Sequence, residues 1–140
     1  MNYLKTSIEN VLVFKLEKGK DLMSSLKEIA VTNQINSAML YLIGAVKKAT
    51  FGFYKNQKYQ TITINENLEI LSCLGNISKK DDEIIIHTHV TFGNSQGKAF
   101  GGHLLEGSII DPTAELFILQ LKDELKRKFD PATKLSLLDL

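Results

Sequence analysis

Residues 83–105 read EIIIHTHVTFGNSQGKAFGGHLL, and the periodicity of this stretch decides the class of fold. Glu83 to Phe92 is rich in β-branched residues and ends on an aromatic one, the composition of a strand. Lys98 to Leu105 is a second strand, and Gly93-Asn94-Ser95-Gln96-Gly97 between them is a connector of hairpin length. His87 and His89 stand at i and i+2, so both imidazoles leave the same face of their strand. His103 lies on the next strand, after Gly101-Gly102, where a hairpin brings it opposite the pair.

The same short strands recur on both sides. Upstream, Ser37 to Val46, Ala49 to Tyr54, Tyr59 to Ile64 and Leu68 to Ile77 are apolar or alternating runs. Lys47-Lys48, Asn56-Gln57 and Asn65-Glu66-Asn67 read as the breaks between them. Gly44, inside the first of these runs, marks a bulge or a close packing contact. Ile8 to Leu16 is a further strand, with Val11 and Val13 on one side and Leu12 and Phe14 on the other. Between it and the others, Leu22, Leu26, Ile29 and Ala30 fall at i, i+4, i+7 and i+8. That is the stripe of an amphipathic helix over Asp21 to Asn33, with Asp21 suited to its positive end.

Downstream, Ala114 to Leu121 fits a buried strand or a helix equally, because periodicity does not separate the two. Lys122 to Lys128 reads as an exposed helical segment ended by Pro131. The expected fold class is therefore α+β. It has a mainly antiparallel sheet, one packed amphipathic helix and a short C-terminal helical segment, in a single domain over residues 1–140.

Composition removes several classes of function. The 140 residues are 44% apolar, enough for a substantial core and far from the disordered range. No apolar run approaches the roughly 20 residues of a membrane span, and the N-terminus lacks a signal-peptide core, so a cytoplasmic protein is expected. Net charge is +1, and Arg127 is the sole arginine. Bidentate base and phosphate contacts favour guanidinium, which weighs against sequence-specific reading of DNA. The single cysteine, Cys73, excludes an internal disulfide and any multi-cysteine zinc site. It sits in an apolar strand as a small core residue.

All three histidines of the chain fall within 17 residues. Three neutral imidazoles meeting at one point are a common ligand set for zinc, and they also suit iron, copper or nickel. Three protein ligands leave a fourth position for water or substrate. Metal binding of this kind weakens as pH falls below about 6.5, where free imidazole protonates. The other reading of His87, His89 and His103 is structural, as hydrogen-bonded or interface side chains. A cupin also carries His-x-His on a strand but adds a glutamate four or five residues later, and this chain has Gly93 and Asn94 there. Glu106, Asp111 and Glu115 are the carboxylates within reach as a general base, or else are solvated loop groups. Gly97-Lys98-Ala99-Phe100-Gly101-Gly102 does not have the spacing of a phosphate loop. Its glycines fit a close approach of two strands or subunits.

Four stretches taken together resemble the PPC (plants and prokaryotes conserved) domain, over about Asn10 to Leu138. These are Gly44-Ala45, the block Leu68 to Ile77 (LEILSCLGNI), and His87-Thr88-His89 followed by Gly101-Gly102-His103-Leu104-Leu105-Glu106-Gly107. The fourth is Asp130-Pro131-Ala132-Thr133-Lys134-Leu135. Lys134 stands where the family has glycine, a swap expected to disturb the last turn and little else. The resemblance implies a homotrimer, a strand over Ala114 to Leu121, and a histidine cluster that holds zinc in some prokaryotic members. By position its ligands are His87, His89 and His103. Prokaryotic members are commonly labelled DNA-binding. In plant members, however, DNA is contacted by separate AT-hook segments, and this chain has none.

Three functional expectations follow. The first is a trimeric protein binding zinc or another divalent transition metal, acting as a small-molecule sensor or an enzyme. The second is a DNA-associated regulatory protein. The third is an assembly module that recruits partners through its strand edges.

Overall fold

A computed structural model describes residues 1–140. The elements in chain order are β1 (Ile8–Leu16), α1 (Leu22–Thr32), β2 (Ala38–Lys55), β3 (Lys58–Ile64) and β4 (Leu68–Lys80). They continue with β5 (Glu83–Gly93), β6 (Ala99–Leu104), β7 (Ile109–Leu121), β8 (Arg127–Asp130) and β9 (Leu135–Leu138). Strands β1 to β7 form one antiparallel sheet in the order β1-β7-β2-β4-β5-β6, with β3 paired to β2. The far edge curls back. Phe51 and Gly52 of β2 pair with Leu104 and His103 of β6, so the second half of β2 closes against β6. The α+β expectation of a mainly antiparallel sheet with one helix holds, and the ambiguous run Ala114 to Leu121 lies within β7.

The helix is placed by its cap and its stripe. Asp21 is the N-cap: Oδ1 accepts from the Ser24 amide at 2.9 Å, and Oδ2 accepts from the Gly107 amide at 2.7 Å. Leu22, Leu26 and Ala30 are buried, and the helix lies over the inner face of the sheet. Each buried leucine contributes about 2 kcal/mol of transfer free energy. A cluster of 22 buried apolar residues joins the helix to Leu40, Leu42, Leu116, Ile118 and the strand ends around Phe51 and Phe92. No helix is long and apolar enough to cross a membrane.

Two expectations fail. Lys47-Lys48 does not end a strand: β2 runs unbroken through it, with register shifts against β7 between Gly44 and Val46 and between Val46 and Lys48. Gly44 makes the first bend. It adopts φ +149, and a Cβ there would lie 2.5 Å from the Ala114 Cα. The short C-terminal helical segment is absent. Neighbouring elements claim the backbone of 122–128: Lys122 donates to Ser7, Leu125 donates to the Ser37 hydroxyl, and Lys79 donates to the Leu125 carbonyl. These bonds hold the segment out of a helix, and Arg127 then begins the hairpin β8–β9. Tertiary contacts outweigh the helical propensity of its lysines and glutamate. The hairpin turn is held by Asp130, whose carboxylate accepts from the amide and hydroxyl of Thr133. Lys134 takes the left-handed φ of +59 at which glycine is favoured, and the turn still forms.

Candidate metal centre

Strand pairing brings the three histidines together. His89 of β5 pairs directly with His103 of β6, and His87 stands two residues up the same face of β5. The ring centroids form a nearly equilateral triangle, 5.4 Å for His87–His89, 5.1 Å for His87–His103 and 5.5 Å for His89–His103. One nitrogen from each ring lies within 4.8 Å of the others. Glycines permit the approach: a Cβ on Gly101 would fall 1.9 Å from the Val90 carbonyl oxygen, and one on Gly75 would fall 2.1 Å from that of His87. The glycine-rich stretch therefore serves close strand packing.

The donor set fits a divalent transition metal. Tetrahedral zinc at about 2.0–2.1 Å from each nitrogen needs those atoms about 3.4 Å apart, a closure that side-chain rotation supplies. Nδ1 of His103 is buried without a hydrogen-bond partner, and an unpaired buried nitrogen is costly unless a ligand occupies it. Desolvation, then the neighbouring charges of His87, His89 and Arg127, lower the His103 pKa to about 4. Desolvation, then Arg127, also lower His87. Both rings are thus neutral, the state that ligates.

Arg127 is the functional residue that sequence reasoning missed. Its Nε donates to the Ser78 hydroxyl at 2.7 Å, Nη1 to the Ser136 carbonyl at 2.6 Å, and Nη2 to Asn76 Oδ1 at 2.8 Å. Nη2 also meets His87 Nδ1 at 3.2 Å. Guanidinium has no acceptor, so that last contact is a hydrogen bond only while Nδ1 keeps its lone pair. Ligation through Nε2 would put the proton on Nδ1, and ligation through Nδ1 would displace the guanidinium. Metal at His87 and the Arg127–His87 bond therefore exclude one another. The available signal was that one arginine stands among many lysines, because only guanidinium fits four partners at once.

A cavity of about 530 Å³ opens from the cluster, walled by Phe53, Tyr54, Tyr59 and Leu135. Tyr59 lies on His103 with ring centroids 4.6 Å apart. The other candidates are elsewhere. Glu106 and Glu115 are exposed, Asp111 pairs with Lys18 at 2.9 Å, and none of the three lines this cavity. Cys73 is fully buried, and burial pushes its thiol up to about 12, which removes it as a nucleophile.

Solved structures share this arrangement of the chain. A metal-containing protein of Archaeoglobus fulgidus superposes with a TM-score of 0.90 at 34% identity, each chain covered in full. A plant- and prokaryote-conserved (PPC) protein of Pyrococcus horikoshii gives 0.90 at 31%, covering 100% of this chain and 98% of that one. A proposed DNA-binding protein of Ralstonia eutropha JMP134 gives 0.82 at 27%, covering 91% and 90%. Among curated sequences, the bifunctional protein GlmU of Synechococcus sp. strain JA-3-3Ab is 29% identical over 132 residues. That match takes in 93% of this chain but 20% of the longer protein. The family model of the Plants and Prokaryotes Conserved (PCC) domain matches residues 3–122, which leaves the hairpin β8–β9 outside it. The curled sheet, the single helix and this match agree: the chain belongs to the Plants and Prokaryotes Conserved domain family.

Proposed function

We propose that His87, His89 and His103 hold a zinc ion, or another divalent transition metal, with a fourth coordination position open to a small molecule. The observation that carries this reading is the convergence of three imidazoles from two paired strands, one with a buried nitrogen that nothing in the protein satisfies. The likeness to a metal-containing protein of Archaeoglobus fulgidus supports it. The ion would supply Lewis acidity or a fixed positive charge, and the histidines, with Tyr59 against His103, would orient what binds. The open position suits a sensor or an enzyme. The test is metal content of chelator-free protein by mass spectrometry, beside the double variant His87→Ala/His89→Ala. Equal content in both would sink the reading.

We propose further that the protein is a homotrimer, as the family resemblance implies. Its support is an outer sheet face that leaves Val11, Val13, Met39, Tyr41, Ile43 and Leu74 exposed, more apolar surface than a lone soluble domain usually shows. Light scattering at micromolar concentration tests it, and a monomer would count against it. A DNA-associated role is the second reading, supported by the likeness to the Ralstonia eutropha protein. The near-neutral chain, with its one arginine turned inward onto four partners, speaks against it. Duplex titration at two salt concentrations decides, since phosphate contact gives a steep salt dependence.

A further inference from the structure

No charged side chain lines the cavity at the histidine cluster, and the full charge next to it, on Arg127 behind His87, is positive. Arg127 is the only full charge bonded to the cluster, and none of the protein's ion pairs includes it. No carboxylate lines the cavity. A divalent cation on the histidines adds to this excess, and charge held away from water is costly until something of opposite sign meets it.

The walls set the shape of what fits. Tyr59 is held between His103, 4.6 Å away at 30°, and Tyr54, 5.1 Å away. The Tyr54 hydroxyl is already committed to the Thr133 carbonyl, whereas that of Tyr59 makes no hydrogen bond within the protein. Phe53 stands 59% exposed beside them, a large apolar ring facing open space. Gly52 keeps the place of Tyr59, since a Cβ there would sit 2.8 Å from its ring. A volume near 530 Å³ is in the range of small-molecule sites. Flat aromatic walls favour a flat ring by offset stacking.

We propose that this cavity binds a small aromatic carboxylate, its charged end toward the histidines, with Arg127 behind His87, and its ring against Tyr59 and Phe53. The proposal rests on the metal reading for the larger part of the attraction, while Arg127 supplies the remainder without it.

The test is calorimetric titration of the full chain, with and without added zinc and with zinc content measured on each sample. Three probes are compared: benzoate, benzamide and acetate. Benzamide keeps the ring without the charge, and acetate keeps the charge without the ring. Benzoate is expected to bind at least about tenfold tighter than either. Tyr59→Leu should lower benzoate affinity several-fold and leave acetate unchanged, a pattern that misfolding would not give. Benzoate no tighter than benzamide, or no tighter than acetate, overturns the proposal. If that happens in protein that holds zinc, the metal reading stands. If it happens in protein that takes up no zinc, the proposal and the zinc site both fall. A benzoate preference in protein that takes up no zinc sinks the zinc site alone and leaves the attraction to the nearby charge of Arg127.

Discussion

Arg127 reaches His87 Nδ1 with a guanidinium nitrogen at 3.2 Å, although the two residues are 40 positions apart and lie in different sheets. The contact ties the C-terminal hairpin to the candidate metal centre. Arg127→Met removes the donor from Ser78, Asn76 and the Ser136 carbonyl as well. The expected cost is about 2–3 kcal/mol, the scale for hydrogen bonds to a charged group that leave acceptors unpaired, read from urea unfolding. Zinc affinity should move the other way. The variant loses both a repelling charge and the competing bond to His87, so zinc should bind about tenfold tighter in a chelator competition. A weaker zinc affinity in a folded variant would show instead that Arg127 supports the ligand geometry.

The pH behaviour of the metal-free protein follows from the same surroundings. Desolvation, followed by nearby charges, holds His103 near 4 and His87 below the ordinary 6.5. The folded state therefore prefers both rings neutral, and the unfolded chain takes up their protons first. Their contribution to stability is complete above pH 6.5 and is lost as pH falls from there through about 4. The urea midpoint should drop across that window, and His103→Gln should flatten the drop. For these two rings, proton competition with a bound metal would be displaced below the pH 6.5 that free imidazole implies.

Much of this was legible because it is local. Strand β1 falls over Ile8–Leu16 as the composition predicts, and α1 lies between the Asp21 and Asn33 read as its ends. The His-x-His pair and its hairpin partner needed only the two-residue period of a strand and a short connector. What was not legible depends on distant partners. Lys47 and Lys48 look like a break, yet pairing with β7 reaches Lys48 and pairing with β3 takes over at Ala49, so β2 runs past them. Lys122 to Lys128 looks helical, yet Ser7, Ser37 and Lys79, all far away in sequence, fix it as non-helical chain. Arg127 was hidden inside that misread segment. A residue read as solvated on a helix gives no hint that it turns inward to a histidine.

Gly101 offers a test that separates the cluster from the rest of the fold. Its missing side chain lets β6 lie against β5, and a Cβ would meet the Val90 carbonyl oxygen at 1.9 Å. Gly101→Ala must push the strands apart one residue from the Val90–Gly102 pair and two from His89–His103. Overpacking of this kind costs about 1–3 kcal/mol. Because β6 is short and lies at the end of the strand order, the protein should stay folded with a lower melting temperature. Metal content should fall more than stability does, since β6 carries one proposed ligand and the other two lie on β5. Full metal content in the variant would mean that the His89–His103 register tolerates the strain.

Val13 pairs with Phe117, Phe117 with Tyr41, Tyr41 with Leu74, Leu74 with His89 and His89 with His103. Directly paired residues share a face, so an exposed apolar row runs across the sheet and ends at the histidines. If copies of the chain bury that row against one another, the candidate metal centre lies beside the interface. Leu74 is 56% exposed in a single copy, so Leu74→Glu places a charge there that water still reaches and should barely alter the isolated fold. In the assembly the same charge would be buried without a partner, at several kcal/mol per copy. Light scattering should therefore find the variant as folded monomers, against the trimer proposed for the parent chain. A variant that remains trimeric would place the interface on another face.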